Sequence, residues 1–283
     1  MRPLLPLLFA LILCIAGAGC TSAPQEPTYA VSDDGALSLD VPVPEISESV
    51  IQTAGNVTVS RIVLHRDVDV ACLLAAPPSP TAAIVYAPGA GIKIEAHMER
   101  AIRYAEAGIA FLAVDVRGNG GETPGRALDL TADFAAFEEG AWPQTYAIAA
   151  DMVAAEEVLV ERYGVPVWAM GSSNGGRYAE YAAAADPAFA GYIGVSTSGF
   201  GVNGDEYTGD ARRFLLSVDP AASIASISPR PVLIFHAPKD RIIPFSDGRT
   251  LFEAAAEPKE FFSFNGTHGV NGEVDERVMA LCV

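Results

Sequence analysis

In Gly171-Ser172-Ser173-Asn174-Gly175-Gly176, a serine has glycine two positions away on each side, after the apolar run Val165 to Met170 and before a helical stretch, Asn174 to Ala185. This is the G-x-S-x-G pattern of a nucleophile elbow, where missing side chains let strand and helix approach around a strained serine. A serine hydroxyl is a weak nucleophile, so it needs a base to take its proton and a third group to orient that base. Two later loops hold those residue types: Asp240 in Ala237-Pro238-Lys239-Asp240-Arg241-Ile242-Ile243-Pro244, and His268 in Asn265-Gly266-Thr267-His268-Gly269. A loop aspartate is ordinarily a turn former and a loop histidine beside glycine ordinarily solvated. Jointly they fit acyl transfer: Ser173 attacks a carbonyl carbon, His268 accepts and returns the proton, and Asp240 fixes the imidazole tautomer.

Elements must bring these loops together. Val57 to Leu64 and Val68 to Ala75 are β-branched-rich runs joined by His65-Arg66-Asp67, which predicts an antiparallel hairpin. Beyond Pro77-Pro78-Ser79-Pro80, short apolar runs alternate with helical stretches. The runs are Ala82 to Ala87, Ile109 to Val114, Val165 to Met170, Ala190 to Ser196, Pro231 to His236 and Glu260 to Phe264. The helical stretches are Glu95 to Ala107, Tyr146 to Tyr163, Asn174 to Ala185, Ser246 to Ala256 and Val270 to Leu281. Apolar runs without alternation are strands buried on both faces, and their alternation with helices predicts an α/β fold with a mostly parallel central sheet covered on both sides. Ligands in such sheets bind at the carboxyl ends of strands, where Ser173, Asp240 and His268 all fall.

The chain order Ser, Asp, His, with each residue after a strand, resembles the α/β-hydrolase superfamily, specifically its dienelactone hydrolase and esterase type, over roughly 57 to 281. Ala237-Pro238-Lys239-Asp240-Arg241-Ile242-Ile243-Pro244 resembles the family's acid loop, and Asn265-Gly266-Thr267-His268-Gly269 its histidine loop. The developing oxyanion requires two aimed N–H donors, each worth about 10²- to 10³-fold in rate. The backbone N–H of Asn174 is one. Pro88-Gly89-Ala90-Gly91-Ile92 resembles the family's HG-x-G oxyanion loop with Pro88 in place of histidine, which implies the Ala90 N–H as the second donor and Gly91 if the register shifts by one. Asp115-Val116-Arg117-Gly118-Asn119-Gly120 resembles the family's D-x-R-G-x-G stretch, read as structural, with Asp115 and Arg117 pairing or capping near the site. A phosphate cradle is disfavoured because no G-x-x-x-x-G-K-[ST] occurs.

Met1 to Gly19 reads as an export signal: a basic start, an apolar stretch from Leu4 to Ile15, then small residues. Gly17-Ala18-Gly19-Cys20 resembles a lipoprotein lipobox, although Gly17 replaces the usual larger aliphatic residue. That resemblance implies lipidation at Cys20 and membrane attachment through the lipid, in a cell-envelope lipoprotein; otherwise the protein is secreted. Residues 20–45, rich in Ser, Pro and acids, read as a flexible tether without a packed core of its own, and 46–283 as one catalytic domain. Small, soluble acyl compounds are the expected partners, because the stretch between Ser196 and Pro231 has room only for short helices such as Ala211 to Ser217 and no large lid. A formal net charge of −17 argues against nucleic acid. An export signal permits a disulfide between Cys72 and Cys282, and two buried thiols are the equal alternative. The cysteines and histidines lack metal-ligand spacing, and the proposed chemistry requires no cofactor.

Other residues read as structural: His97 and His65 as solvated, His236 as packing, Asp151 and Glu156 as surface charges, and Phe134, Phe137 and Trp142 as core or acyl-pocket residues. Three further readings remain open. Peptidases of the prolyl oligopeptidase group use similar triads but carry a large propeller domain, acyltransferases share the same triad, and a silent binding protein could keep the fold.

Overall fold

The computed structural model describes residues 28–282. The strands are β1 (Thr28–Val31), β2 (Leu37–Asp40), β3 (Glu45–Ala54), β4 (Val57–His65), β5 (Asp69–Ala76), β6 (Ala82–Ala87), β7 (Ile109–Val114), β8 (Val167–Ser172), β9 (Gly191–Val195), β10 (Val232–His236) and β11 (Lys259–Ser263). The α-helices are α1 (Met98–Glu106), α2 (Leu130–Glu138), α3 (Gln144–Tyr163), α4 (Asn174–Ala185), α5 (Gly209–Ser217), α6 (Pro220–Ser223), α7 (Phe245–Ala254) and α8 (Gly272–Cys282).

Every residue of β6, β7, β9 and β10 is buried, as expected of strands covered on both faces. They lie in a nine-stranded sheet of order β11-β10-β9-β8-β6-β7-β5-β4-β3. The six strands β6 to β11 run parallel, while β5, β4 and β3 add an antiparallel end. This is the α/β-hydrolase fold. One face packs against α3, α4 and α7 through Ile148, Met152, Leu159, Ala179 and Leu251; the other packs against α1 and α8 through Ala101, Tyr104, Val274 and Val278. From β6 the chain passes first to β7 on one side and then to β8 on the other, so loops leaving β6 and β8 diverge and open a crevice at their carboxyl ends.

The sheet gains β3, where the sequence reading expected no strand. Its burial pattern shows why: nine of its ten residues are exposed, so it carries no apolar signal. The expected tether also corrects from Thr28 onward. β1 and β2 pair antiparallel, and Val31, Tyr29 and Leu37 pack with Tyr146, Phe214 and Val218 on α3, α5 and the turn after α5. A short hairpin with little apolar content of its own is thus ordered by a borrowed core. Phe134, Phe137 and Trp142 pack into the same cluster. The signal segment and Cys20 lie outside the described residues.

Cys72 and Cys282 are separate free thiols. Cys72 faces the α3 side of the sheet and Cys282 the α8 side, so the sheet itself stands between them. A bridge needs Cα atoms within about 7 Å and converging Cβ vectors. Burial pushes both thiols up, Cys282 to about 12.

Candidate active site

Ser173 leaves β8 at φ 56° and ψ −124°, a left-handed conformation unusual for a residue with a side chain, and begins α4. The sequence tolerates this because of its glycines. A Cβ on Gly171 would lie 2.1 Å from the Gly175 carbonyl oxygen, and one on Gly175 would lie 2.1 Å from the Ala87 carbonyl oxygen. Strand, turn and helix therefore close together only without side chains there, and Thr197 Oγ1 donates to the Ser173 carbonyl at 2.9 Å to hold the turn.

Asp240 follows β10 and is nearly buried. Its Oδ1 accepts from the backbone N–H groups of Ile242 and Ile243 at 2.9 and 3.0 Å, and its Oδ2 lies 2.9 Å from His268 Nδ1. Burial would raise this carboxyl, but the Ile243 and Ile242 donors together with His268 hold it below its ordinary value. The aspartate is thereby kept ionised and aimed at one imidazole nitrogen. His236, fully buried beneath the loop, donates from Nε2 to the Ile243 carbonyl at 3.0 Å and keeps Nε2 3.5 Å from Asp240 Oδ2. Its packing role thus extends to shaping the acid loop.

The His268 loop is anchored where Ser196 Oγ accepts from the Gly269 N–H at 3.0 Å. Ser196 follows β9 at φ 48°. Ser173 and His268 both line one cavity of about 490 Å³, with no hydrogen bond between them; such bonds commonly tighten only when substrate arrives. Gly89, Ala90, Ile92, Tyr86, Arg100 and Ile242 line the same cavity.

The loop after β6 sorts its own donors. The Gly91 N–H is taken by Asn119 Oδ1 at 3.2 Å, while Asn119 Nδ2 donates to the Gly89 carbonyl at 3.0 Å. The Ala90 N–H enters none of the loop's hydrogen bonds, and the Asn174 N–H belongs to the first turn of α4, where helix donors lack intrahelical partners. Asn119, which clamps this loop from the D-x-R-G-x-G stretch, was given no role from sequence.

Several residues sit differently from their sequence readings. His97 is buried and lines the site cavity instead of facing solvent. Arg100 Nη1 donates to His97 Nδ1 at 2.6 Å, which places the imidazole proton on Nε2; burial and then the Arg100 charge lower its pKa to about 4. Arg100 is itself held by Asp275 and the Val270 carbonyl. Asp115 and Arg117 do not pair with each other. Asp115 accepts from the Thr123 N–H at 2.7 Å, whereas Arg117 pairs with Asp67 and with Asp151. Asp151 and Glu156 are buried rather than surface charges. No residue from the segment spanning α5 and α6 lines the cavity, because α5 packs beside α2 and β1 instead. His65 bonds Ser47 and Asp69 in a hairpin turn away from the site.

Solved structures share this architecture at low identity. Acetyl xylan esterase from Paenibacillus sp. R4 superposes with a TM-score of 0.70 at 18% identity, covering 84% of this chain and 88% of that one. Glucuronoyl esterase from Solibacter usitatus superposes with a TM-score of 0.62 at 15% identity, covering 86% and 87%. No protein-family profile matches the chain. The uncharacterized protein YfhR of Salmonella typhi is 47% identical over 47 residues, and the match spans only 16% of each chain. No helix among the described residues is long and apolar enough to cross a membrane.

Proposed function

We propose that this protein hydrolyses carboxylic esters of small acyl groups through an acyl-enzyme on Ser173. The observation that carries this reading is the ionised Asp240 hydrogen-bonded to His268, which lines the same cavity as Ser173 on its strained elbow. Asp240 fixes His268 Nδ1 as a donor, so Nε2 is the nitrogen free to take the Ser173 proton. Oγ then bonds the carbonyl carbon, and the oxyanion sits between the Asn174 and Ala90 N–H groups. Collapse breaks the ester C–O bond as His268 protonates the leaving alcohol. Water, deprotonated by His268, attacks the acyl-enzyme; its collapse releases the acid and returns the His268 proton to Ser173 Oγ. The reaction needs no cofactor. The esterases named above share the fold and support the choice of ester over other acyl bonds.

The test is intact mass after treatment with a fluorophosphonate, with Ser173→Ala and His268→Ala beside wild type. One adduct on wild type and none on either variant is expected, with hydrolysis of a short-chain aryl ester and no cleavage of a peptide amide. Folded wild type without an adduct would overturn the proposal in favour of a binding protein. The lipobox-like Gly17-Ala18-Gly19-Cys20 further supports export with a lipid on Cys20. The full chain, purified from membranes, should then start at Cys20 and carry the added acyl mass; an unmodified Cys20 refutes the anchor.

A further inference from the structure

Buried carboxylates elsewhere in this molecule have partners. Asp151 meets Arg66 and Arg117; Asp275 meets Arg100 and Arg103; Asp219 accepts from the N–H groups of Phe200 and Val202; Glu180 accepts from Ser223 Oγ. Glu156 on α3 differs. It is 0% exposed, and neither carboxylate oxygen has a hydrogen-bond partner. An ionised group left dry with both oxygens unpaired is strongly disfavoured, which is why buried charges are ordinarily paired or bound to a metal.

The groups closest to hand make the problem worse unless something sits between them. Oxygens of Glu156, Glu157 and Asp186 lie within 4.8 Å of one another. We propose that these three carboxylates form a divalent-cation site of the calcium class, unrelated to the Ser173 chemistry. Calcium takes oxygen ligands at about 2.3–2.6 Å, so oxygens on opposite sides of one ion stand about 5 Å apart and the cluster fits around a single ion. Donors that are all carboxylate oxygen select a hard cation over zinc or copper. The Ala188 N–H occupies Asp186 Oδ1 at 2.8 Å, which fixes that side chain while leaving Oδ2 available.

Surrounding charge supports a cation rather than one proton. Glu161 lies further along α3 and adds negative potential at Glu157. Arg230, the neighbouring cation, donates to the backbone carbonyls of Asp186 and Ile227 and to none of the three carboxylates. A proton would cancel one of three charges and leave the buried acid still without a hydrogen-bond partner; a dication cancels two and ligates it directly. Glu156 and Glu157 lie in the C-terminal half of α3, which leads into β8, and Asp186 caps the end of α4, which leads into β9. The ion would therefore join two helices at the amino ends of the strands, opposite the Ser173 edge.

The experiment strips the described domain together with its full native N-terminus with chelator, then adds calcium, magnesium or manganese while recording Tm and binding heat, with terbium luminescence as a direct probe. Saturating calcium should raise wild-type Tm by about 5 °C or more and displace terbium. Glu156→Gln should lose the shift and bind at least about tenfold more weakly, with ester hydrolysis unchanged. Asp186→Asn, partly exposed, provides a second variant if Glu156→Gln fails to fold. No binding or Tm shift in stripped wild type, or an equal response in the variants, overturns the site.

Discussion

Asp240 and Glu156 are two buried carboxylates at opposite edges of one sheet, and their surroundings send them in opposite directions. Burial acts against charge in both. At the carboxyl edge, two backbone N–H groups and an imidazole converge on Asp240, so the charge is held and directed. At the amino edge, neither oxygen of Glu156 has a hydrogen-bond partner, and the carboxylates of Glu157 and Asp186 lie beside it. Burial alone therefore does not mark a functional acid; the donors around it decide whether its charge is an instrument or a load.

The largest effect that could break this comparison is catalytic. Asp240→Asn retains an oxygen for the Ile242 and Ile243 N–H groups, so the loop should hold. Its amide nitrogen, however, would face His268 Nδ1 and force the imidazole proton onto Nε2, the nitrogen that the proposed mechanism uses to accept the Ser173 proton. A loss of about 10⁴-fold in kcat on a short-chain aryl ester, with unchanged Tm at pH 7.5, is expected. Near-wild-type kcat would mean that the Asp240–His268 pair is merely structural.

The residues that meet at this edge were legible in the sequence because each element there announces itself locally. The glycines around Ser173 and the loops holding Asp240 and His268 are contiguous strings after apolar runs. What stayed hidden depends on contacts between segments far apart in the chain. His97 read as solvated because helical spacing put it on the same side as charged residues, yet Tyr86 and Arg100 enclose it. Asp151 and Glu156 sit on a helix whose burial extends nearly all round, so charged residues there gave no sign of lying inside. Asn119 and Ser196 act by hydrogen bonds across loops, which no spacing rule encodes.

His97 sharpens the same lesson with the opposite charge type and a moderate effect. Its folded pKa is about 4, against about 6.5 for an unfolded histidine. Between those values the unfolded chain binds a proton that the folded chain refuses, so stability should fall as pH drops from 6.5 towards 4 and then level off. The difference corresponds to about 3 kcal/mol at most. Urea midpoints at pH 7 and pH 4.5 for wild type and His97→Gln measure this contribution, since His65, His236 and His268 are common to both proteins. The variant should show the shallower pH dependence; identical slopes would place His97 in water-exposed surroundings.

The smallest effect tests the sheet as a barrier between its two faces. Cys72 and Cys282 pack on opposite sides of it, and burial raises both thiols, so at pH 8 neither carries appreciable thiolate. Thiolate is the reactive form, and burial also blocks the reagent. Native protein lacking Cys20 should therefore give almost no fast reaction with an aromatic disulfide reagent, and the same protein in guanidinium, without reductant, should give both thiols. Reduction before unfolding should leave Tm unchanged. Two thiols absent after unfolding would show a bridge, and would require β5 and the end of α8 to meet on one face of the sheet, against the packing seen for both residues.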